Sequence, residues 1–346
     1  MSLVKQVPFG TTGMKVAPII IGCMSYGDSK WGGNWVMDNE EKVFEILKFA
    51  YDQGLRTYDT ADAYSNGKSE RLLGKFLKKY NIKRETVVIM TKVYLPVDED
   101  IEQIAVSSYF DQSFNTPEGV QLANQRGLSR KHIIAGVKNS VERLGTYIDV
   151  LQIHRLDRDT QMKDIMKTLN WVVEQGYTRY IGASTMLATE FVELQMIADK
   201  YNWFQFVSLQ TQYNLLYRED ERELIPFAER HGLAMTPWSP NAGGMLTRPV
   251  AEQKDTNRGS AGNYFIELTD ANKEIINRVE MISKKHDVSM AIISTAWVLS
   301  KGFYPIVGMS GVNRVEDAIK ATKIELSEED IKYLEEAYQP TKFLNQ

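Results

Sequence analysis

The sequence predicts an α/β protein that folds as a (β/α)8 TIM barrel, because two kinds of segment alternate regularly along its 346 residues. Short runs rich in β-branched residues alternate with longer segments whose apolar residues recur every three or four positions, the pattern of repeated strand–helix units. The count, eight strands and eight following helices, is the number of this barrel. No linker rich in Pro, Gly or Ser divides the chain, so residues 1–346 are expected to form a single barrel domain.

The elements are expected in the following order. An N-terminal β-hairpin, with Gly10 and Gly13 in its turn between Phe9 and Val16, precedes the first strand and is placed at the barrel floor. The predicted strands are residues 18–22, 56–59, 87–92, 148–154, 178–183, 206–210, 233–238 and 304–308. The predicted helices are residues 40–53, 69–80, 129–145, 160–175, 189–201, 219–231, 289–301 and 312–321.

Two connections are too long for a plain barrel. Residues 96–128 and 241–268 both follow predicted strand ends, so they are long loops at the C-terminal face, where barrel enzymes place their active sites. Long loops in compact domains are usually functional. These two loops are expected to wall a substrate pocket together with the C-terminal tail, which carries one more helical pattern at 328–338. Loops without a function are the alternative.

Composition and charge exclude several classes of protein. The formal net charge is −4 with both signs interspersed, whereas a nucleic-acid or anionic-membrane surface would need a basic stripe. Cys23 is the only cysteine, so neither an intrachain disulfide nor a thiolate metal cluster can form. The first residues lack the apolar core of a signal peptide, and the longest apolar runs are too short or too broken to span a membrane. The protein is therefore expected to be cytoplasmic, without nucleic-acid or membrane partners.

Two nucleotide-binding motifs and a metal site are also disfavoured. Residues 66–69, NGKS, resemble the end of a phosphate-binding loop, but Asp62 stands where that loop needs its first glycine. Its carboxylate would oppose a phosphate, and its Cβ disfavours the positive φ that glycine permits. No G-x-G-x-x-G follows a strand, so a Rossmann site is not expected. The four histidines are far apart in the sequence, and no metal site is predicted.

Titratable side chains end several of the predicted strands. Asp59, Lys92 and His154 end three successive strands, and Tyr64 follows Asp59 by five residues. An ammonium within about 4–6 Å of a phenol can lower its pKa by roughly 1–3 units, and a carboxylate can hold that ammonium in place. A histidine can orient a carbonyl oxygen by a hydrogen bond. Each residue alone has an ordinary structural explanation, but the combination predicts a proton donor for carbonyl reduction.

The sequence around these residues resembles the aldo-keto reductase family. The similar segments are DTADAYSNGKSE at 59–70, VVIMTKV at 87–93, DVLQIHRLD at 149–157, IGAST at 181–185, LQTQYN at 209–214 and PWSP at 237–240. The resemblance extends over nearly the whole chain. The long loop before residues 127–133 looks like the fungal aryl-alcohol-dehydrogenase-like branch of the family.

The resemblance implies an NADP(H)-dependent barrel that binds its cofactor across the barrel top. Tyr64 then resembles the general acid, Lys92 and Asp59 the groups that tune it, and His154 the residue that orients the carbonyl. The family's carboxamide contacts correspond to Ser184 and Gln210, with Thr185 where the family usually has Ser or Asn, and its nicotinamide-stacking aromatic to Trp238. Further cofactor contacts are expected at Ser239, Pro240, Asn241, Gly243 and Arg248.

The adenosine end departs from the family pattern. Residues 308–309 and 317–318 are Gly-Met and Asp-Ala, where many members carry a Lys-Ser pair and a Glu-Asn pair. Arg314 is present, and its guanidinium suits a 2′-phosphate. NADPH/NADP+ is therefore the expected cofactor, with contacts at Gly308, Ser310, Arg314 and Asp317.

The expected activity is NADPH-dependent reduction of aldehydes and some ketones. Met24, Trp31 and Tyr94 are the candidate pocket residues, and their character suggests bulky or aromatic substrates. The alternative is an NADPH-binding redox-sensing subunit that resembles the potassium-channel β subunits. An isomerase or lyase that uses Lys92 as a Schiff base is disfavoured, because an aspartate and a tyrosine nearby keep the lysine protonated.

Overall fold

The structure, a computed structural model, describes residues 3–101, 117–253 and 266–343. Within these ranges the chain forms an eight-stranded sheet of parallel strands and a separate two-stranded hairpin. The hairpin consists of β1 (Val7–Pro8) and β2 (Lys15–Val16). The strands of the sheet are β3 (Ile20–Gly22), β4 (Thr57–Asp59), β5 (Val88–Val93), β6 (Ile148–Ile153), β7 (Thr178–Ser184), β8 (Phe206–Gln210), β9 (Ala234–Met235) and β10 (Ile306–Gly308).

The sheet closes on itself. Its strands follow one another in chain order from β3 to β9, and β10 returns to pair with β3. Between β9 and β10, the amide of Tyr304 donates to the carbonyl of Met235 at 2.9 Å, and that of Ile306 donates to the carbonyl of Pro237 at 2.8 Å. The predicted (β/α)8 barrel is therefore confirmed.

The hairpin covers the floor of the barrel, as the sequence predicted. The amide of Thr11 donates to the carbonyl of Gly232 at 3.0 Å, just before β9, and the fully buried ring of Phe9 packs among residues inside the barrel. Gly10 has a φ of +51°, and a Cβ there would stand 2.6 Å from the carbonyl oxygen of Gly232. This close approach requires glycine at the turn.

The helices surround the sheet and begin at the caps that the sequence supplies. The side chains of Asn39, Ser129, Thr269 and Ser327 each accept a hydrogen bond from a first-turn amide. The α-helices span Ser29–Gly32, Glu40–Asp52, Lys68–Lys79, Pro117–Leu122, Arg130–Leu144, Met162–Glu174, Ala188–Lys200, Leu224–Arg230, Asp270–Lys285, Met290–Ser300, Val312–Ala321 and Glu328–Glu335. Short 3-10 turns occupy Arg84–Thr86, Glu219–Arg222, Ala242–Thr247 and Val250–Glu252.

Several elements differ from the sequence prediction, which also lacks the short helices Ser29–Gly32 and Pro117–Leu122. The helix expected at 219–231 is divided, because Pro226 has no N–H and its ring clashes with the carbonyl four residues earlier. The strand expected at 233–238 is regular only over β9. The helix Asp270–Lys285 was not predicted, although Thr269 caps it and its buried isoleucines follow a helical spacing.

The long connections are partly described. The two loops expected to wall the pocket include residues 102–116 and 254–265, which lie outside the described residues. The described tail helix Glu328–Glu335 is held to the barrel, since Glu335 accepts a hydrogen bond from the buried indole of Trp297 at 2.8 Å. Within the described ranges, no helix has the length and apolar character needed to cross a bilayer.

Candidate active site

The ends of three neighbouring strands bring together the predicted catalytic residues. Asp59 ends β4, Lys92 lies one residue before the end of β5, and His154 directly follows β6. Because β4, β5 and β6 are parallel neighbours, their carboxyl ends meet at one edge of the barrel. The side chains of Asp59, Lys92 and His154 are all buried there.

Tyr64 reaches the same edge from the connection that follows β4. The backbone of this connection turns sharply through three successive residues with positive φ, namely Ser65, Asn66 and Gly67. The helix that follows begins at Lys68. The Gly-Lys-Ser run that resembled a phosphate-binding loop therefore starts a helix. Tyr64, just before this turn, reaches Lys92 on β5.

The ammonium of Lys92 is fully buried and uses all three of its donors. Its Nζ donates to Oδ2 of Asp59 at 2.5 Å, to the carbonyl of Thr60 at 2.9 Å and to the hydroxyl of Tyr64 at 3.1 Å. A lysine ammonium has three N–H groups and no acceptor. Because the Tyr64 oxygen accepts from Lys92, the phenolic proton is available for donation to another acceptor.

The pKa of Tyr64 differs in direction from the sequence expectation. Burial raises the pKa of Tyr64 above its ordinary value, and the charge of Lys92 offsets this effect only in part. The expected lowering was therefore wrong in its net direction, because the sequence does not reveal the depth of burial. Burial alone would lower the pKa of Lys92, but the charges of Asp59 and Tyr64 raise it above its ordinary value. At neutral pH the site holds a protonated phenol beside an ammonium.

His154 is neutral in this site. Burial lowers the pKa of its imidazole well below the ordinary value, and the charges of Arg155 and Lys92 lower it further. Its ring meets the Tyr64 ring edge-on with the centroids 5.9 Å apart. Nδ1 of His154 has no hydrogen-bond partner within the described ranges. A neutral imidazole can donate one N–H to a substrate oxygen held beside Tyr64.

Two glutamines complete the environment of Asp59. Its Oδ1 accepts from Nε2 of Gln152 at 3.0 Å and from Nε2 of Gln210 at 2.9 Å. The amide of Gln210 also donates to Oε1 of Gln152 at 2.9 Å. Sequence reasoning missed Gln152, although it lies on the same face of its strand two residues before His154. Gln210 was expected to contact the carboxamide of the cofactor, and in this structure its amide nitrogen donates to Asp59.

Three of the residues expected to hold the nicotinamide, Ser184, Thr185 and Trp238, lie together. Ser184 ends β7, and its Oγ lies 3.3 Å from Oγ1 of Thr185. The indole nitrogen of Trp238 donates to the same Thr185 oxygen at 3.3 Å. The half-buried Trp238 ring therefore stands beside Ser184 and Thr185.

The segment after Trp238 is strongly curved. Ser239 and Gly243 have φ values of 54° and 64°, and buried Pro240 lies between them. Oδ1 of Asn241 accepts a hydrogen bond from Ser294 on the helix Met290–Ser300. The Asn241 oxygen thus anchors this segment to the barrel wall, in addition to its expected place near a pyrophosphate.

The residues expected at the adenosine end lie beyond β10. Gly308 and Ser310 are exposed, and a Cβ at Gly308 would meet nothing within 4 Å. Nη1 of Arg314 is 4.0 Å from Oδ2 of Asp317 on the same helix. Burial lowers the pKa of Arg248, and the charge of Arg314 lowers it further, so these two guanidinium groups repel each other. A bound phosphate would relieve this repulsion, which fits the expected cofactor.

The predicted pocket residues surround Tyr64 unequally. Trp31 belongs to a buried cluster with Tyr64, their ring centroids 6.1 Å apart, and Met24 packs against this cluster. Tyr94 is half-buried, and its carbonyl accepts from the amide of Gly127 at 2.8 Å, which closes the base of the long connection after β5. Trp31 therefore borders the Tyr64 ring, Met24 packs against their cluster, and Tyr94 begins the loop.

A buried ion pair that sequence reasoning missed supports the Tyr64 connection from behind. Nε of Arg143 donates to Oε2 of Glu70 at 2.7 Å, and Oγ1 of Thr91 donates to Oε1 at 2.5 Å. Both charged side chains are almost fully buried. Glu70 thereby ties the first turn of the helix Lys68–Lys79 to the helix Arg130–Leu144 through Arg143 and to β5 through Thr91. These contacts limit movement of the connection that carries Tyr64.

Asp62 carries a prediction about stability. Its carboxyl is 1% exposed, and neither oxygen has a hydrogen-bond partner within the described ranges. Burial, followed by the charge of Glu70, raises the pKa of Asp62 well above its ordinary value. Because the folded pKa exceeds the unfolded pKa, the free energy of unfolding falls as pH rises from the unfolded pKa to the folded one.

We expect Asp62→Asn to remove this loss. Between the unfolded and the folded pKa of Asp62, the difference in the free energy of unfolding between variant and wild type should grow in favour of the variant. The growth should be up to about 1.4 kcal/mol per pH unit. Urea unfolding of both proteins at pH 5 and pH 8 measures the difference. A difference that stays the same at the two pH values would contradict the buried, protonated state of Asp62.

This fold and site define a class of oxidoreductase: a parallel (β/α)8 barrel with aspartate, tyrosine, lysine and histidine at the carboxyl ends of its strands. A sequence model of the Aldo/keto reductase family matches residues 18–339. The chain belongs to this family, which confirms the resemblance stated from the motifs.

Three fungal proteins are similar to this chain over nearly its whole length. A Saccharomyces cerevisiae protein provisionally named aryl-alcohol dehydrogenase AAD16 is 60% identical over 343 residues, 98% of each chain. A Schizosaccharomyces pombe protein with the provisional name aryl-alcohol dehydrogenase C977.14c is 51% identical and covers 96% of this chain and 95% of its own. The versiconal hemiacetal acetate reductase of Aspergillus parasiticus is 48% identical over 96% of each chain. The similarity to the aryl-alcohol-dehydrogenase-like branch is confirmed.

Proposed function

We propose that the protein is an NADPH-dependent reductase of aldehydes, aromatic ones among them, and of some ketones. The observation that carries this proposal is the fully buried ammonium of Lys92, held by Asp59 and Thr60 and donating to the hydroxyl of Tyr64. This arrangement fixes a phenolic proton beside a neutral imidazole, which is what protonation of a carbonyl oxygen requires. The names of the dehydrogenase-like and reductase relatives agree with it.

In the proposed reaction the carbonyl carbon gains a hydride and the carbonyl oxygen gains a proton, which yields an alcohol. NADPH, when bound, supplies the hydride. The hydroxyl of Tyr64 donates the proton, while the ammonium of Lys92 stabilises the developing phenolate. His154 donates a hydrogen bond that holds the oxygen at Tyr64, and the cluster around Trp31 shields one side of the site from water.

The cofactor is proposed to lie between Trp238 and the arginine pair. Trp238, with Ser184 and Thr185, would bind the nicotinamide end. Arg248 and Arg314 would bind phosphate groups, a role supported by their mutual repulsion without an anion. The substrate is proposed to be a small carbonyl compound and the site of action the cytoplasm, without nucleic-acid or membrane partners, in keeping with the interspersed charges.

Incubation with NADPH and a panel of aldehydes tests this function. We expect the absorbance of the reduced nicotinamide to fall only when enzyme and aldehyde are both present. NADPH binding without turnover would instead support the redox-sensing subunit. Absence of NADPH binding would contradict both functions.

The cofactor preference is tested at Arg314. We expect Arg314→Ala to raise the KM for NADPH by about 10- to 100-fold, because a charge-assisted contact to the 2′-phosphate is lost. The KM for NADH, which lacks this phosphate, should change little. Arg314→Lys keeps the charge but lacks the planar donor pair, so its KM for NADPH should lie between those of the wild type and Arg314→Ala. Equal loss for NADPH and NADH in initial-rate assays would refute the 2′-phosphate role.

A further inference from the structure

Arg155 directly follows His154 and has no part in the proposed proton and hydride transfer. The residue is half-buried, and Nη1 of its guanidinium donates to the carbonyl of His154 at 2.6 Å. Within the described ranges, no carboxylate oxygen lies within 4.0 Å of it. Its neighbour Arg158 differs, because Nε of Arg158 donates to Oε1 of Glu190 at 2.7 Å on the surface. Arg155 is thus a partly desolvated cation at the edge of the active site.

The charge of Arg155 acts on the residues that line the site. Burial is the main cause of the lowered pKa of His154, and the charge of Arg155 lowers it further. The same charge partly offsets the rise that burial causes in the pKa of Tyr64 and of Tyr94. The other charged groups that act on these rings are Asp59, Lys92, Arg126, Asp157 and Arg158. The Arg155 guanidinium therefore lies within electrostatic reach of the acid Tyr64 and of Tyr94 at the start of the long loop.

The guanidinium of Arg155 has further N–H donors besides the one that contacts the His154 carbonyl. A guanidinium has five N–H donors, and the contact with the His154 carbonyl occupies one nitrogen. Taking a cation out of water is costly unless an anion compensates, and carboxylates fit the planar donor pair of arginine. A buried structural arginine in this protein, Arg143, is compensated in this way by Glu70.

We propose that Arg155 recognises a carboxylate on the substrate, so that the favoured substrates are aldehydes that also carry an anionic carboxylate group. The inference rests on the proposed reductase function and narrows its substrate class. The aldehyde oxygen would lie at Tyr64 and His154, and the carboxylate of the same molecule would pair with the Arg155 guanidinium. Arg155 is then a specificity-determining residue, because it contacts a part of the substrate that does not react.

Matched substrates test this role. The probes are 3- and 4-carboxybenzaldehyde, each compared with its neutral methyl ester, and the measured quantity is the ratio of kcat/KM for the acid to kcat/KM for its ester. We expect Arg155→Met to lower this ratio about 10- to 100-fold for the better acid, the effect of one lost charge-assisted contact. Any general effect on Tyr64 cancels in the ratio. Arg155→Lys should retain part of the preference.

Arg158→Met is the matched control, because it removes an arginine three residues away that is exposed and paired with Glu190. Its ratio should equal that of the wild type. An equal loss for acid and ester in Arg155→Met would overturn the inference and leave the reductase function standing. If Arg155→Met raised the KM for NADPH and left the acid-to-ester ratio unchanged, Arg155 would belong to the cofactor site. That result would also overturn the inference. Failure of the wild type to reduce any of these aldehydes would refute both proposals.

Discussion

Replacing Tyr64 by phenylalanine is expected to lower kcat for aldehyde reduction by about 10²- to 10⁴-fold, the usual contribution of a positioned general acid. The reason is the geometry of the hydroxyl, which accepts from the buried ammonium of Lys92 and keeps its own proton for the substrate. NADPH affinity should change little, since the ring and its packing against Trp31 are kept. Stopped-flow reduction of benzaldehyde and fluorescence titration with NADPH measure the two quantities.

Tyr58→Phe provides a matched control. Tyr58 precedes Asp59 on β4 and is also buried, but its hydroxyl has no hydrogen-bond partner within the described ranges. Loss of that hydroxyl should leave kcat near the wild-type value. If Tyr64→Phe reduced aldehydes as fast as Tyr58→Phe, the general acid would have to be another group.

Replacing Lys92 by methionine is expected to affect both activity and stability. Breaking a buried ion pair by removing one partner typically costs about 3–5 kcal/mol, because the remaining charge is left uncompensated. Here Asp59 would lose its 2.5 Å contact and keep only the amides of Gln152 and Gln210. Turnover should fall as strongly as in Tyr64→Phe, since the phenolate would lose its stabilising charge.

The double variant Asp59→Asn/Lys92→Met separates the two effects. Without the Asp59 charge the stability loss should be smaller than in Lys92→Met, while turnover should stay low. Urea unfolding measures the stability difference. Since the folded pKa of Lys92 is raised, the stabilisation from its charge is present below its unfolded pKa and is lost as pH rises through the folded pKa. A double variant less stable than Lys92→Met would contradict a charge-based role for the pair.

The sequence predicted that the candidate catalytic residues lie together, because their placement follows directly from strand order. In a parallel barrel the strand ends converge, so Asp59, Lys92 and His154 had to meet once three adjacent strands were recognised. Gln152 and the pair of Glu70 with Arg143 were missed, because they depend on which side chains face each other across sequence separations of up to 93 residues. No local pattern encodes such contacts.

The direction of the Tyr64 pKa was misjudged for a related reason. The nearby lysine was correctly expected, but burial outweighs its charge, and part of that burial comes from Trp31 on a different connection. The division of the helix at Pro226 has, by contrast, a local cause that the sequence contains. Proline interrupts a helix even where the apolar periodicity continues.

The central claim, hydride transfer to a carbonyl with Tyr64 as the proton donor, is tested most directly by isotope labelling. The wild type is incubated with benzaldehyde and NADPH that carries deuterium at both C4 positions of the nicotinamide, and the alcohol is analysed by mass spectrometry. We predict benzyl alcohol with one deuterium on carbon, formed in step with NADPH oxidation and nearly abolished in Tyr64→Phe. Tight NADPH binding without labelled alcohol, or labelled alcohol formed equally by Tyr64→Phe, would contradict it.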